Sequence, residues 1–282
     1  MPSDAAGRAG VPRRQFLAGV TAVALLVISC ASGRRRLGGG GRGDDAGRDS
    51  RSDRRSVDGH LRAQPGPSGT STATAPQAGL ETLDLGEGTT VLLYLPPSGP
   101  AEEPVPLVVL FHGAGGTAED GLAILRPLAD EAGLILLATS SRGRTWDLVL
   151  GGYGPDVAVL DAALVEVFDR HVIDPHRLAV AGFSDGASYA LSIGANNGQL
   201  FSHVMAFSPG FWVPGDTEGA PSFFVTHGTD DQVLPIDATS RRLVPRLEQA
   251  GYDVRYQEFA GGHVVPGDLA AATVMWFLDQ GR

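Results

Sequence analysis

The chain has 282 residues, of which 43% are apolar, enough to bury a sizeable core in one large domain or two. Its charge is split: residues 1–78 hold 12 Arg and 6 Asp, which leaves 10 Arg and 26 acidic residues, a net of −16, for residues 79–282. With no lysine anywhere, so acidic a region repels nucleic acid and other polyanions, and a neutral or cationic substrate is expected unless the charge only serves solubility.

At the N-terminus, Arg13-Arg14-Gln15-Phe16-Leu17 precedes an apolar run over residues 18–28, too short to span a bilayer and suited to the core of a signal peptide. The paired arginines resemble a twin-arginine export signal, and Val27-Ile28-Ser29-Cys30 resembles a bacterial lipobox. Those resemblances imply a signal peptide over residues 1–29, a lipidated Cys30, and a protein anchored to the membrane from outside the cytoplasm. An ordinary secretory signal with an incidental Cys30 is the alternative. Cys30 is the sole cysteine, which excludes an internal disulfide and a cysteine-based metal cluster. Residues 30–78 are rich in Gly, Arg, Ser and Pro and poor in large apolar side chains, and are expected to form a disordered tether spanning on the order of 40 Å.

From residue 79 the pattern becomes that of a folded domain, expected over 79–282. Strands are predicted over 80–85 and 90–95 as an antiparallel hairpin, then over 107–111, 134–138, 177–181, 203–207, 223–226 and 254–259 as compact apolar runs of a parallel sheet. Helices fit between most of them, over 117–132, 156–170, 185–196, 237–250 and 266–278, with Asp156 and Asp237 as candidate caps. The fold class is therefore α/β, a mostly parallel doubly wound sheet with an N-terminal hairpin.

Chemistry-bearing residues collect where strands should end. The 177–181 strand runs into Gly182-Phe183-Ser184-Asp185-Gly186, a Gly-x-Ser-x-Gly turn that holds a serine exposed between strand and helix. A glycine-rich chain produces this pentapeptide by chance, so its context matters. The 107–111 strand leads into His112-Gly113-Ala114-Gly115-Gly116, the 223–226 strand into His227-Gly228-Thr229-Asp230-Asp231, and the 254–259 strand into Gly261-Gly262-His263. Serine, acid and histidine thus follow in the order that nucleophilic catalysis uses in such sheets. Together these motifs make residues 80–282 resemble an α/β-hydrolase of the phospholipase/carboxylesterase group, similar to bacterial esterases and polyhydroxybutyrate-depolymerase-like enzymes.

The pattern assigns Ser184 as nucleophile, His263 as general base and Asp231 as the acid that orients it; the amides of Ala114 and Asp185 are the expected oxyanion donors. Asp230 competes with Asp231, and motif register favours the latter. His112 and His227 are read as bracing residues, and His203 falls at a strand start, on the wrong edge of the sheet. Acyl-protein thioesterases, which the chain resembles more distantly, usually carry Gln where this chain has Asp185, whose carboxylate must turn away from the oxyanion or pair with an arginine. Trp146, Phe211 and Trp212 lie on rim loops and are candidate substrate-binding residues. The stretch 208–221 is too short for a helical lid. The expectation is a serine carboxylesterase for small or medium esters, without metal or cofactor. Esters of hydroxyalkanoate oligomers, feruloyl or acetylated sugars and lysophospholipids are alternative substrates, and a non-catalytic binding protein on this scaffold is the alternative of another class.

Overall fold

The computed structural model describes residues 59–66, 78–86, 88–97 and 104–279. The export signal, Cys30 and most of the expected tether lie outside them. Eight strands form one sheet: β1 Gly79–Leu83, β2 Val91–Leu95, β3 Val105–Phe111, β4 Ile135–Thr139, β5 Ile173–Phe183, β6 His203–Phe207, β7 Ser222–Gly228 and β8 Val254–Phe259. Their spatial order is β1-β2-β4-β3-β5-β6-β7-β8. The β1–β2 and β2–β4 pairs are antiparallel, and every pair from β4 to β8 is parallel.

This order sets the site. The chain leaves β3 for β4 on one side and returns to β5 on the other, so the connections diverge at the carboxyl ends of β3 and β5. Such a divergence opens a crevice beyond the sheet. The loops that follow these two strands begin at His112 and Ser184.

The central strands alternate between two apolar layers. Leu107, Val109 and Phe111 of β3, with Leu178 and Val180 of β5, join one core, while Val108, Leu110, Ala179 and Ala181 join the other. Helices α4 Pro155–Arg170, α5 Asp185–Asn196 and α6 Ser240–Gln249 cover the first layer. Helices α1 Ala118–Ala123, α2 Arg126–Ala132 and α7 Gly267–Asp279 cover the second. The short α3, Asp147–Leu150, is a turn the apolar pattern does not announce.

Several boundaries differ from the sequence reading for local reasons. The helix expected over 117–132 is two helices, because Pro127 near the start of α2 has no N–H to continue the preceding turn, and Leu125 between them takes the cap position of α2 at φ −119° and ψ −5°. Asp156 is not a cap; Gly154 holds that position, and Asp156 sits inside the helix with its carboxylate turned to another loop. Asp237 precedes α6 in a turn, and the cap position belongs to Thr239.

The largest correction concerns the tether, because residues 59–66 are ordered against the domain. Leu61 and Ala63 are buried in the layer beneath α4 and α5. The Asn197 side chain brackets the segment, its Nδ2 donating to Gly59 O at 2.8 Å and its Oδ1 accepting from Leu61 N at 2.8 Å. The Asp161 carboxylate accepts from the Arg62 and Ala63 amides at 2.6 and 2.8 Å and from Arg62 Nε at 3.1 Å. Gly59 has φ +76°, and a Cβ there would fall 2.6 Å from the Tyr153 ring. Composition could not reveal this strap, since its partners lie 98 to 138 residues away in sequence.

Candidate active site

Ser184 stands between β5 and α5 at φ 58° and ψ −120°, a strained conformation for a residue with a side chain. Its amide donates to Phe207 O, which extends the β5–β6 ladder into the turn. The flanking glycines are sterically required: a Cβ on Gly182 would lie 2.3 Å from Gly186 O, and one on Gly186 only 2.2 Å from Phe111 O. The start of α5 is therefore pressed directly against the end of β3, beside the His112–Gly116 loop. A Cβ on Gly113 would sit 3.4 Å from Ser184 Cβ.

That loop is braced on several sides. His112 Nδ1 faces Gly113 O at 2.7 Å and must donate to it, while Nε2 accepts from Ser141 N at 3.0 Å, so the imidazole is neutral with one tautomer fixed. Trp146 Nε1 donates to His112 O at 2.9 Å. Gly115 N donates to Arg144 O and Gly116 N to Gly113 O, which commits both amides elsewhere. Ala114, the expected donor, lies between these anchored positions. The amide of Asp185, first residue of α5, lies in the helix turn whose N–H groups have no intrahelical acceptors.

The structure brings Ser184, His263 and Asp231 together in one hydrogen-bonded line. His263 Nε2 is 2.9 Å from Ser184 Oγ, and His263 Nδ1 is 2.6 Å from Asp231 Oδ2. A carboxylate only accepts, so Nδ1 carries the proton and Nε2 is left to accept from the serine hydroxyl. Packing of the acid loop on the base loop makes this reach possible: a Cβ on Gly228 would lie 2.3 Å from Gly261 O. The Phe183 ring lies against the His263 imidazole, with centroids 4.6 Å apart.

Asp231 is buried, whereas its neighbour Asp230 is exposed and donates its amide to Gly261 O. Asp231 Oδ1 accepts from the amides of Val233 and Leu234 at 2.9 and 2.8 Å. Burial pushes the Asp231 carboxyl up, but the Leu234 amide, His263 and the Val233 amide outweigh it and hold its pKa below the usual value. His227 Nε2 is 2.8 Å from Leu234 O and 3.2 Å from Asp231 Oδ2, and Nδ1 is 2.7 Å from Ser240 Oγ. Burial, the largest influence, keeps the His227 pKa low. His227 is thus a brace, as its motif suggests, and also meets the acid, a contact that nothing in the motif marks.

Asp185 has a neutral partner. Its carboxylate takes a hydrogen bond at 2.6 Å from the hydroxyl of Thr145, a residue that sequence reasoning passed over. No spacing rule links the two, since they are 40 positions apart.

The tryptophans expected at the rim are core residues instead. Trp146 is 1% exposed, stacked on Tyr189 with centroids 4.7 Å apart and edge-on to Phe111. Trp212 is 7% exposed and packs edge-on to Tyr252. Both lie in loops by sequence, yet their rings turn inward to fill the layer around α5, where they are not free to meet a substrate. Phe211 is only partly buried and remains at the loop after β6. That loop has no helix between Ser208 and Pro221 and is stitched to α5: Gly210 N and Phe211 N donate to Ser188 Oγ, and Val213 N to Ser192 Oγ. Val213, Val233 and Val264, one on each of the loops after β6, β7 and β8, are exposed.

Comparison with solved structures identifies the fold. Esterase PE8 matches with TM-score 0.54 and 24% identity over 64% of this chain and 98% of its own. The S-formylglutathione hydrolase FrmB from Staphylococcus aureus matches with TM-score 0.57 and 13% identity, covering 73% of this chain and 100% of its own. The Bacillus cereus carboxylesterase matches with TM-score 0.52 and 19% identity, covering 68% and 95%. No protein-family profile and no curated protein matches the chain. With this sheet order, the chain has the α/β-hydrolase fold expected from its motifs.

Proposed function

We propose that the protein is a serine carboxylesterase acting on small or medium carboxylic esters. The observation that carries this reading is the unbroken hydrogen-bond line from Asp231 through His263 to Ser184 Oγ, ending at a strained elbow beside a braced glycine loop. The solved structures of the same fold include proteins described as esterases and hydrolases, which agrees with the reading.

In this mechanism Ser184 Oγ attacks the ester carbonyl carbon as its proton passes to His263 Nε2. The carbonyl oxygen becomes an oxyanion, met by the amides of Ala114 and Asp185. Collapse breaks the bond to the alcohol oxygen, which takes the proton from His263 and leaves an acyl-Ser184. Water then repeats the sequence, giving its proton to His263 and releasing the carboxylic acid and free serine. Asp231 remains ionised throughout and stabilises the imidazolium.

A fluorophosphonate probe tests the nucleophile, and p-nitrophenyl esters of graded chain length test the substrate class. Labelling of wild type, lost in Ser184→Ala, with turnover highest on short and medium esters, is the expected result. An unlabelled wild type refutes the reading in favour of a binding protein, and a steep preference for long chains refutes the stated substrate range. We also propose that the chain is exported and anchored through a lipid on Cys30; release of the Cys30→Ala protein from membranes is expected, and unchanged association refutes it.

A further inference from the structure

The loop from Ser140 to Asp147 reaches the oxyanion side of the site at three points. Ser141 N donates to His112 Nε2, Arg144 O accepts from Gly115 N, and the Thr145 hydroxyl donates to Asp185 Oδ2. The loop is itself held by one buried carboxylate. Asp156, 4% exposed, accepts from Arg142 N at 2.9 Å through Oδ1 and from Asp147 N at 2.8 Å through Oδ2. Thr145 lies between those two anchored amides, so its hydroxyl is presented from a fixed backbone.

Asp185 needs such a partner. It follows the nucleophile directly, and its amide is one of the two proposed oxyanion donors. A carboxylate attached to that same residue opposes the developing negative charge whenever it rotates toward the substrate, most strongly once water has been excluded. The hydroxyl of Thr145 donates to it at 2.6 Å. Fixing the side chain also fixes the first residue of α5, whose amide direction decides how well it meets the oxyanion.

We propose that Thr145 is a positioning residue for the oxyanion site, acting through Asp185 by holding its carboxylate away from the reacting carbonyl. The inference rests on the esterase reading. It makes the Asp at position 185 compatible with hydrolysis by means of a residue on a different loop, a pairing that no motif within the serine elbow contains.

The test is a double-mutant cycle on Thr145→Val and Asp185→Ala, read as kcat and KM on a short p-nitrophenyl ester and as the rate of fluorophosphonate labelling. Thr145→Val keeps the shape and removes the donor, so kcat and the labelling rate should fall about 10- to 100-fold with KM little changed. Thr145→Ser, which restores the donor, should recover most of the loss. In the Asp185→Ala background, which retains the amide but has no carboxylate to restrain, Thr145→Val should cost less than about twofold. Equal losses in both backgrounds, a loss confined to KM, or no loss in Thr145→Val overturns the proposal. A wild type that neither labels nor turns over overturns the esterase reading and this inference with it, whereas a reactive wild type beside an unaffected Thr145→Val overturns this inference alone.

Discussion

The strap over residues 59–66 gives a stability prediction whose size follows from its contacts. In Asp161→Ala, the Arg62 and Ala63 amides lose a buried carboxylate acceptor, each bond to a charged group contributing about 1.5–3 kcal/mol. The Arg62 Nε contact adds at most about 1 kcal/mol, because that side chain is 59% exposed. The total is capped, since a strap that peels away recovers hydration for its amides and forfeits chiefly the burial of Leu61, about 2 kcal/mol. A net loss of about 2 kcal/mol results, or roughly 4–8 °C in Tm for a domain of this size. Thermal melting followed by circular dichroism measures it on two chains, one from residue 30 onward and one from residue 67 onward. The substitution should lower Tm in the first and leave the second almost unchanged, and brief trypsin treatment should cut after Arg62 only in the variant of the longer chain. An equal fall in both chains would show that Asp161 stabilises α4 by itself, and no fall in the longer chain would show that the strap contributes nothing.

Asp231→Asn should lower kcat by about 10³- to 10⁴-fold in ester hydrolysis, because the amide stabilises no imidazolium and disfavours the required tautomer, while Asp230→Asn should stay near wild type. His227→Phe should lower Tm markedly, since it strips donors or acceptors from Leu234 O and Ser240 Oγ in a buried site, yet cost only about 10-fold in kcat because Asp231 keeps three of its four donors. A loss as large as that of Asp231→Asn would refute this division of labour. Burial, then the charge of Asp156, raises the Asp147 pKa to about 6, so the folded state holds its proton where the unfolded chain has released it, and the contribution of Asp147 to stability falls as pH rises from about 4 to about 6. Allowing for screening of a half-buried group, Asp147→Asn should gain about 1–2 kcal/mol relative to wild type across that window in urea titrations, and a pH-independent difference would refute the cause.

The inner parallel strands were legible because they are buried on both faces and read as largely apolar runs, and β6 begins and ends where the pattern places it; β8 also has the expected bounds, but as the edge strand, with Arg255, Gln257 and Glu258 in it, it is only partly buried and not the both-faces-buried run expected. Strand β5 was read short, since Asp174, Pro175 and His176 at its irregular start carry no apolar signal, although the Asp174–Arg177 ion pair at 2.6 Å holds that stretch. The site was legible for a different reason. Backbone crowding at Gly182, Gly186 and Gly228 leaves sequence no choice but glycine, so the loops that bring Ser184, Asp231 and His263 within reach are written as motifs. Thr145, Asp156 and Asp161 carry no such mark. Each acts by a hydrogen bond to a distant backbone or side chain, and many residue types tolerate the local conformation they occupy.

The two tryptophans show how loop position misleads when read as exposure. The 140–147 loop lies close to the His112–Gly116 loop, donating Ser141 N to His112 Nε2 and accepting Gly115 N at Arg144 O. Trp146 of that loop places one ring against Phe111, His112 and Tyr189, while its Nε1 satisfies His112 O. An indole suits that place because it supplies a large apolar face and a single donor at its edge. Replacement by a smaller apolar side chain would remove packing and leave a buried carbonyl unpaired within the loop that carries Ala114. On the esterase reading, Trp146 would therefore bear on turnover through the backbone of that loop, while Phe211, Val213, Val233 and Val264 keep apolar surface in part or whole exposed on the loops after β6, β7 and β8.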